Sequence, residues 1–495
     1  MKTAARRVAA PRLATTLLLA LTLAGCANYS GIEPAAKPLR PEALGLAPSP
    51  QEAAAAPAAV SGTWWQGFGD TTLDRLVVQA LDGSPNLQVA RARLLRATAG
   101  AAGAEAAAGL QVNGAADVTR QHYTENGAVP PPLAGSMRTS GSLQLSAGWE
   151  FDFFGRHAAA LQAALGAQRA AEADLHAARV LLAANVTRAY VQLARLVEQR
   201  EVAARTLAQR EELLGLTRQR VSAGLDTLVE LRQGEGAVPE TRQQIEALDE
   251  QIALARHALA ALTGQGPKAL ATLQPRLAAV ALLPLPRAVP VDLLGRRADV
   301  EAARWRVEAA SQDVASAKAQ FYPNVNLVAF AGLSAIGLDR LFDSGSEQYG
   351  IGPALRLPIF DSGRLRANLS GRTADLDAAV HSYNATVLDA VRDVADQLAS
   401  VQSVARQQRE QQAAAAAAES AYDLALQRYR AGLGNYLTVL SAETRLLAQR
   451  RETTELKARA LDTQVALIRA LGGGYTPADT APSQQHAAHH PQIER

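Results

Sequence analysis

The sequence predicts an α+β membrane protein with two internal repeats, in which long coiled-coil α-helices accompany four β-strands per chain. Three observations carry this reading. Proline is absent from Gly155 to Val221 and again from Asp361 to Leu471, stretches far longer than an ordinary globular helix. Residues 142–153, and matching residues in the second half, alternate apolar and polar side chains with the period of a strand. Short anchors recur in the same order about two hundred residues apart.

Composition narrows the class. The chain has 495 residues, 48% hydrophobic but only 4% aromatic. Its apolar content is mostly Ala, Leu and Val, which favours helices and close backbone packing over a bulky core. The formal charge of +3 comes from the N-terminus, where Lys2, Arg6, Arg7 and Arg12 stand without an acid; the remainder holds 46 basic against 47 acidic residues. Nucleic-acid binding thereby loses its compositional support. Cys26 is the only cysteine, which excludes intramolecular disulfides and cysteine-based zinc sites.

The elements follow in order. Lys2, Arg6 and Arg7 precede an apolar run from Leu13 to Leu23. That run is shorter than the roughly 20 apolar residues of a spanning helix. Residues 1–25 therefore read as a secretory signal. The signal ends in Leu23-Ala24-Gly25-Cys26, which resembles a bacterial lipobox and implies thioether lipidation of Cys26. This covalent lipid is the only non-protein group expected. Residues 26–62 read as a lipidated tether rich in Ala and Pro. No later segment gives 18 uninterrupted apolar residues, so membrane entry has to use strands.

The first repeat is expected over 63–266 and the second over 296–472, with a Pro-rich connector at 267–295 and a disordered tail at 473–495. Gln219 to Leu225 pairs with Gln427 to Leu433, and Phe153-Phe154-Gly155-Arg156 pairs with Ile359-Phe360 and Gly363-Arg364. In the first repeat a helix from Pro85 to about Gly109 leads into strands at about 110–119 and 142–153. Leu143, Leu145, Ala147, Trp149, Phe151 and Phe153 face one way, and Gln144, Ser146 and Glu150 the other. The second repeat places strands at about 323–333 and 348–360, with exposed loops at 120–137 and 334–346.

Each strand pair is followed by a helix of about 65 residues, roughly 100 Å long. Val380, Val387, Val394 and Val401 recur every seven residues, with Val391, Leu398 and Ala405 as a second seam. Gly224 and Gly432 stop the helices, since a left-handed turn there needs no side chain. Gly234, Gly236 and Pro239 are expected to kink or break the returning helix. Four strands leave two open edges, which lipid does not tolerate, and bacterial barrels start at eight strands. Several chains must therefore share one barrel, and eight or twelve strands both satisfy the physics.

The chain resembles the outer membrane efflux factors, the TolC-like proteins, and within them the NodT-type lipoproteins. The residues that carry the likeness are Cys26; Trp64-Trp65 with Phe68, Asp70, Leu73 and Leu76; Trp149 to Arg156; and Ala223-Gly224-Leu225. They continue with Leu285-Pro286, Val289-Pro290, Asp292-Leu293-Leu294 and Arg296-Arg297, then Phe321 with Pro323, Pro358 to Arg364, and Arg428-Tyr429 with Ala431-Gly432-Leu433. The resemblance implies a homotrimer with a shared 12-stranded β-barrel in outer-membrane lipid and an α-helical barrel reaching into the periplasm. It implies two protein partners, a periplasmic adaptor and an inner-membrane RND-type pump. In the family the helical tips are sealed by bonds from an acid in the first repeat to a tyrosine in the second. The matching positions here are Glu230 and Tyr429, with Asp226 as a second acid and Arg430 as a nearby cation. The adaptor would meet the turns Ala223-Gly224-Leu225 and Ala431-Gly432-Leu433. Four positions depart from the family pattern. Ala298 and Leu110 stand where proline is common, and Thr438 and Ser441 stand where the family often places an acidic ring.

No nucleophile elbow, phosphate loop, zinc-protease helix or dinucleotide fingerprint is present. His486, His489 and His490 sit in a polar tail, and His157, His176, His257 and His381 are scattered along helices. The expectation is a passive export duct for drugs or small solutes, without catalysis, cofactor or metal. The alternatives are the outer-membrane duct of a type I protein secretion system and a non-channel lipoprotein rod or adaptor.

Overall fold

The computed structural model describes residues 29–39, 60–283 and 295–476. The signal, Cys26, most of the tether, residues 284–294 of the connector and the histidine-bearing tail lie outside the described residues. In chain order the elements are α1 (Thr71–Gly83), α2 (Pro85–Ala107), β1 (Gln111–His122), β2 (Met137–Phe151), α3 (Arg156–Ser222), α4 (Leu228–Leu262), α5 (Ala298–Ala319), β3 (Asn324–Ile336), β4 (Glu347–Arg356), α6 (Arg364–Arg430) and α7 (Tyr436–Ala470). The two halves match in series: α3 and α6 have 67 residues each, and α4 and α7 have 35 each. The chain divides into two compact units. One contains residues 29–38 with Arg93–Ala171 and Ala303–Asn384; the other contains the described parts of Leu39–Ala92, Glu172–Ala302 and Ala385–Arg495.

The first unit contains one antiparallel sheet in the order β1-β2-β3-β4. Residues paired across strands share a face, so register assigns the two surfaces. Leu145, Ala331 and Tyr349 form one row; Ala147, Ala329 and Ile351 form the next; Phe151, Val325 and Leu355 form a third. This apolar face points outward, with Ile351 76% exposed. The opposite face carries Asn113, Asp117, Gln144, Ser146, Glu150, Asn326 and Gln348. Gly332 is fixed by close approach, because a Cβ there would lie 2.2 Å from the Leu143 carbonyl oxygen. β1 and β4 are the edges of the sheet.

The strands differ from expectation at their ends. β1 runs to His122, β2 starts at Met137 and β3 ends at Ile336, so the expected loops at 120–137 and 334–346 are shorter. β4 stops at Arg356 rather than 360, just before Pro358, which has no N–H to continue a ladder. Beside the sheet, Val314, Ala317 and Phe321 pack on Leu365, Leu369 and Leu376. The segment from Tyr29 lies on this cluster. Its ring meets Phe321 edge-on at 5.6 Å, and the Ala35 and Ala36 amides donate to Asp377 Oδ1 at 3.0 and 2.9 Å.

In the second unit Asp70 caps α1, accepting from the Thr72 and Leu73 amides, and its other oxygen accepts from the Tyr190 hydroxyl at 2.6 Å. Trp64, Phe68, Leu73 and Leu76 belong to one buried cluster with Val186, Tyr190 and Leu193. Along α6, Val387 and Val394 are buried as expected, but their companions are Ala390 and Val404, while Val391 and Leu398 are half-buried and Ala405 exposed. At these positions the second seam therefore sits one residue earlier, three rather than four after the first; heptad seams alternate by three and four, so the choice is made by packing, and Val401 is itself only half-buried. The expected break in α4 is absent: the helix runs through Gly234, Gly236 and Pro239. Gly234 serves packing instead, since a Cβ there would lie 3.0 Å from Leu214 Cδ1 and 3.4 Å from the Tyr436 hydroxyl.

Candidate functional site

The turns joining α3 to α4 and α6 to α7 share one backbone. In the first, the Leu225 amide donates to the Arg220 carbonyl at 2.8 Å and the Gly224 amide to the Val221 carbonyl at 3.0 Å. In the second, Leu433 donates to Arg428 at 2.8 Å and Gly432 to Tyr429 at 3.0 Å. Gly224 and Gly432 have φ of +70° and +76°, the left-handed conformation that ends a helix in this motif. Leu225 and Leu433 project from the two turns and are exposed.

Side chains of both turns meet at Tyr429. Its ring is fully buried, and its hydroxyl donates to Asp226 Oδ2 at 2.6 Å and lies 3.1 Å from the Thr217 hydroxyl. Arg220 grips the same carboxylate with two bonds, Nε to Oδ2 at 2.8 Å and Nη2 to Oδ1 at 3.2 Å. Its Nη1 also donates to the Tyr429 carbonyl at 3.4 Å, and its guanidinium lies 4.7 Å from the Tyr429 ring centre. The side chains of Arg220 and Asp226 are only 13% and 8% exposed. The forked donors match the carboxylate geometry and neutralise it where water is scarce. Hydrogen bonding from Arg220 holds the Asp226 carboxyl below the ordinary carboxylate range despite burial. Burial, reinforced by the bond to Asp226, pushes the Tyr429 hydroxyl up to about 12.

The expected seal residues are thus only partly brought together. The structure pairs Tyr429 with Asp226 and not with Glu230. Glu230 forms a capping box: its carboxylate accepts from the Thr227 amide at 3.0 Å and from the Thr227 hydroxyl. The Thr227 hydroxyl lowers the Glu230 pKa. Arg430 points elsewhere, bonding Glu212 at 2.8 Å with both side chains exposed. Thr438 is held by its own cap, its amide and hydroxyl donating to Asn435 Oδ1 at 3.0 and 2.7 Å. Two members, Arg220 and Thr217, were not legible as site residues. Arg220 reaches Asp226, six residues on, only because Gly224 folds the chain back. Below the polar contacts, Leu213, Tyr422, Tyr436, Val439 and Leu446 form an apolar cluster with Tyr429.

Comparison with known proteins places this architecture. The chain is 34% identical over 475 residues to the multidrug resistance outer membrane protein MdtQ of Escherichia coli O157:H7, covering 92% of this chain and 97% of that one. It is 37% identical over 365 residues to the fusaric acid resistance protein FusA of Burkholderia cepacia, covering 72% and 68%. The crystal structure of the outer membrane protein VceC from Vibrio cholerae matches with a TM-score of 0.79 at 39% identity, covering 84% of this chain and 99% of VceC. Residues 76–265 and 289–473 both match one family, described as outer membrane efflux protein, and the chain belongs to that family.

Proposed function

We propose that this protein is the outer-membrane channel of a tripartite efflux pump, a passive duct that carries drugs or small solutes from the periplasm to the exterior. The observation that carries this reading is the four-stranded sheet with an exposed apolar face, a polar opposite face and two open edges. In water such a face associates or aggregates. In lipid it is the outer wall of a barrel, and four strands per chain need further copies to close it. Three chains give a twelve-stranded trimer. The matching helix lengths and the twofold family match support descent of the two halves from one repeat. The names of MdtQ and FusA, which refer to multidrug and fusaric acid resistance, support small-molecule cargo.

Cys26 carries the lipid anchor in this reading, and the docked segment that begins at Tyr29, three residues later, supports it. The Tyr429–Asp226–Arg220 contact is the resting seal. The exposed Leu225 and Leu433 turns dock the periplasmic adaptor, which links the duct to an RND-type inner-membrane pump. Adaptor contact biases the helices toward an open arrangement, a two-state shift. The test is reconstitution of the full-length protein into planar bilayers. Discrete pores from a detergent-resistant trimer are expected. A water-soluble monomer that produces no conductance would remove the duct.

A further inference from the structure

Glu443, on α7, is 3% exposed, the most deeply buried acidic residue among the described residues. Arg210 of α3 meets it with Nε and Nη2 at 3.0 and 2.9 Å from Oε2. The same guanidinium donates through Nη1 to the Ala237 carbonyl at 3.1 Å and the Thr241 hydroxyl at 2.9 Å, both on α4. One side chain therefore ties three helices together. Arg210 lies ten residues before Arg220 on α3, about 15 Å along the helix from the turn contact. Leu213, Tyr436 and Val439 fill the space between with apolar surface. Two further arginines of α3 pair with α7, Arg188 with Asp462 and Arg195 with Glu455, but all of these carboxylates are well exposed. The Arg210 pair differs because separating α7 from α3 would leave a buried cation and a buried carboxylate unpaired.

A second acceptor is already in place. Glu240 of α4 lies 3.9 Å from Arg210 Nη1, and its side chain is 78% exposed. It moves with the helix that Arg210 also grips, not with α7.

We propose that Arg210 is a switch residue for opening, trading Glu443 for Glu240 when α7 moves away from α3 and α4. This rests on the duct reading above and adds a second closure above the turn contact. Releasing Tyr429 frees the turn; exchange at Arg210 then lets α7 separate while the cation stays paired. Glu443, once freed, is hydrated by the water that enters. The two glutamates therefore have opposite roles, Glu443 favouring the closed state and Glu240 the open one.

The test is conductance of the full-length protein in planar bilayers, in a background carrying Asp226→Ala. Glu443→Gln is expected to raise current several-fold over Asp226→Ala alone, and Glu240→Gln to lower it. Changes of the same sign in the two glutamine variants, or none, would overturn the proposal, because a merely structural contact gives no opposition. If Asp226→Ala conducts like the wild type, the turn seal is wrong, and hydrogen exchange decides this proposal separately. Glu443→Gln should then speed exchange of α7 amides near residue 443 relative to those near Asp462, and Glu240→Gln should slow it below the parent rate. Equal exchange in both variants would overturn it.

Discussion

The sheet and the helix-joining turns break the rule of soluble proteins in opposite directions. On β4, Ile351 and Tyr349 are apolar and open to the surroundings. At the turns, Arg220 and Asp226 are charged and withdrawn from them. An exposed apolar wall is stable only against something apolar, so it reports the solvent the sheet was built for. A buried ion pair with a tyrosine on it adds little net stability over apolar packing, yet it costs much to break one-sidedly. It therefore suits a contact that must be either whole or undone. In the proposed reading the sheet suits a fixed environment and the turns a change of state.

The largest expected effect tests the sheet. Ile351→Arg puts a charge on the apolar face, and in the proposed barrel should cost about 2–4 kcal/mol near mid-membrane. Gln348→Arg, on the other face, should be tolerated. The yield of detergent-resistant oligomer from membranes reads both, and equal yields would break the assignment of faces. Next comes the turn. Asp226→Ala leaves Arg220 and Tyr429 without their shared acceptor, a loss of about 2 kcal/mol for bonds to a charged group. Faster hydrogen exchange around Gly224 and Gly432 is the readout. An unchanged rate would show that the contact does not hold the turns together.

Acid and alkali sharpen the same point. The Asp226 pKa is lowered in the folded protein, so its contribution is present above the ordinary carboxylate pKa and is lost as pH falls through the lowered value. The Tyr429 pKa is raised to about 12, so its contribution is intact below the ordinary tyrosine pKa near 10 and disappears as pH rises toward 12. Conductance should therefore be flat from about pH 5 to 9 and rise at both extremes. A step near neutrality would point to a histidine rather than to this pair.

Smaller effects separate capping from sealing. Thr227→Ala should cost α4 about 1 kcal/mol. Glu230→Gln should leave conductance unchanged, because its carboxylate serves the cap. Arg430→Ala should cost about 0–1 kcal/mol, as exposed pairs do.

Much of this was legible in residues. Proline-free runs revealed the long helices, and Leu143, Leu145 and Trp149 alternating with Gln144, Ser146 and Glu150 revealed β2 and its two faces. Glycines 224 and 432 marked both turns. The partner of Tyr429 was harder to read. Asp226 and Glu230 stand four residues apart beside the same turn, and spacing does not choose between them. The choice is made by neighbours: Thr227 occupies Glu230, and Arg220 turns Asp226 inward. The two turns also differ where the repeat would make them alike. Gly434 stands opposite Asp226 and Val221 opposite Tyr429 at the same offset of 208, so each half supplies what the other lacks. The seam along α6 slipped for a simpler reason. Val391 and Ala390 are equally apolar by pattern, and only three-dimensional packing selects Ala390 for the core.

The most direct measurement is single-channel conductance of the full-length protein in planar bilayers, wild type beside Asp226→Ala with Tyr429→Phe. A small resting current that rises several-fold in the double variant is the predicted result. Identical currents, with both proteins inserted as detergent-resistant trimers, would contradict the claim that this contact closes the duct.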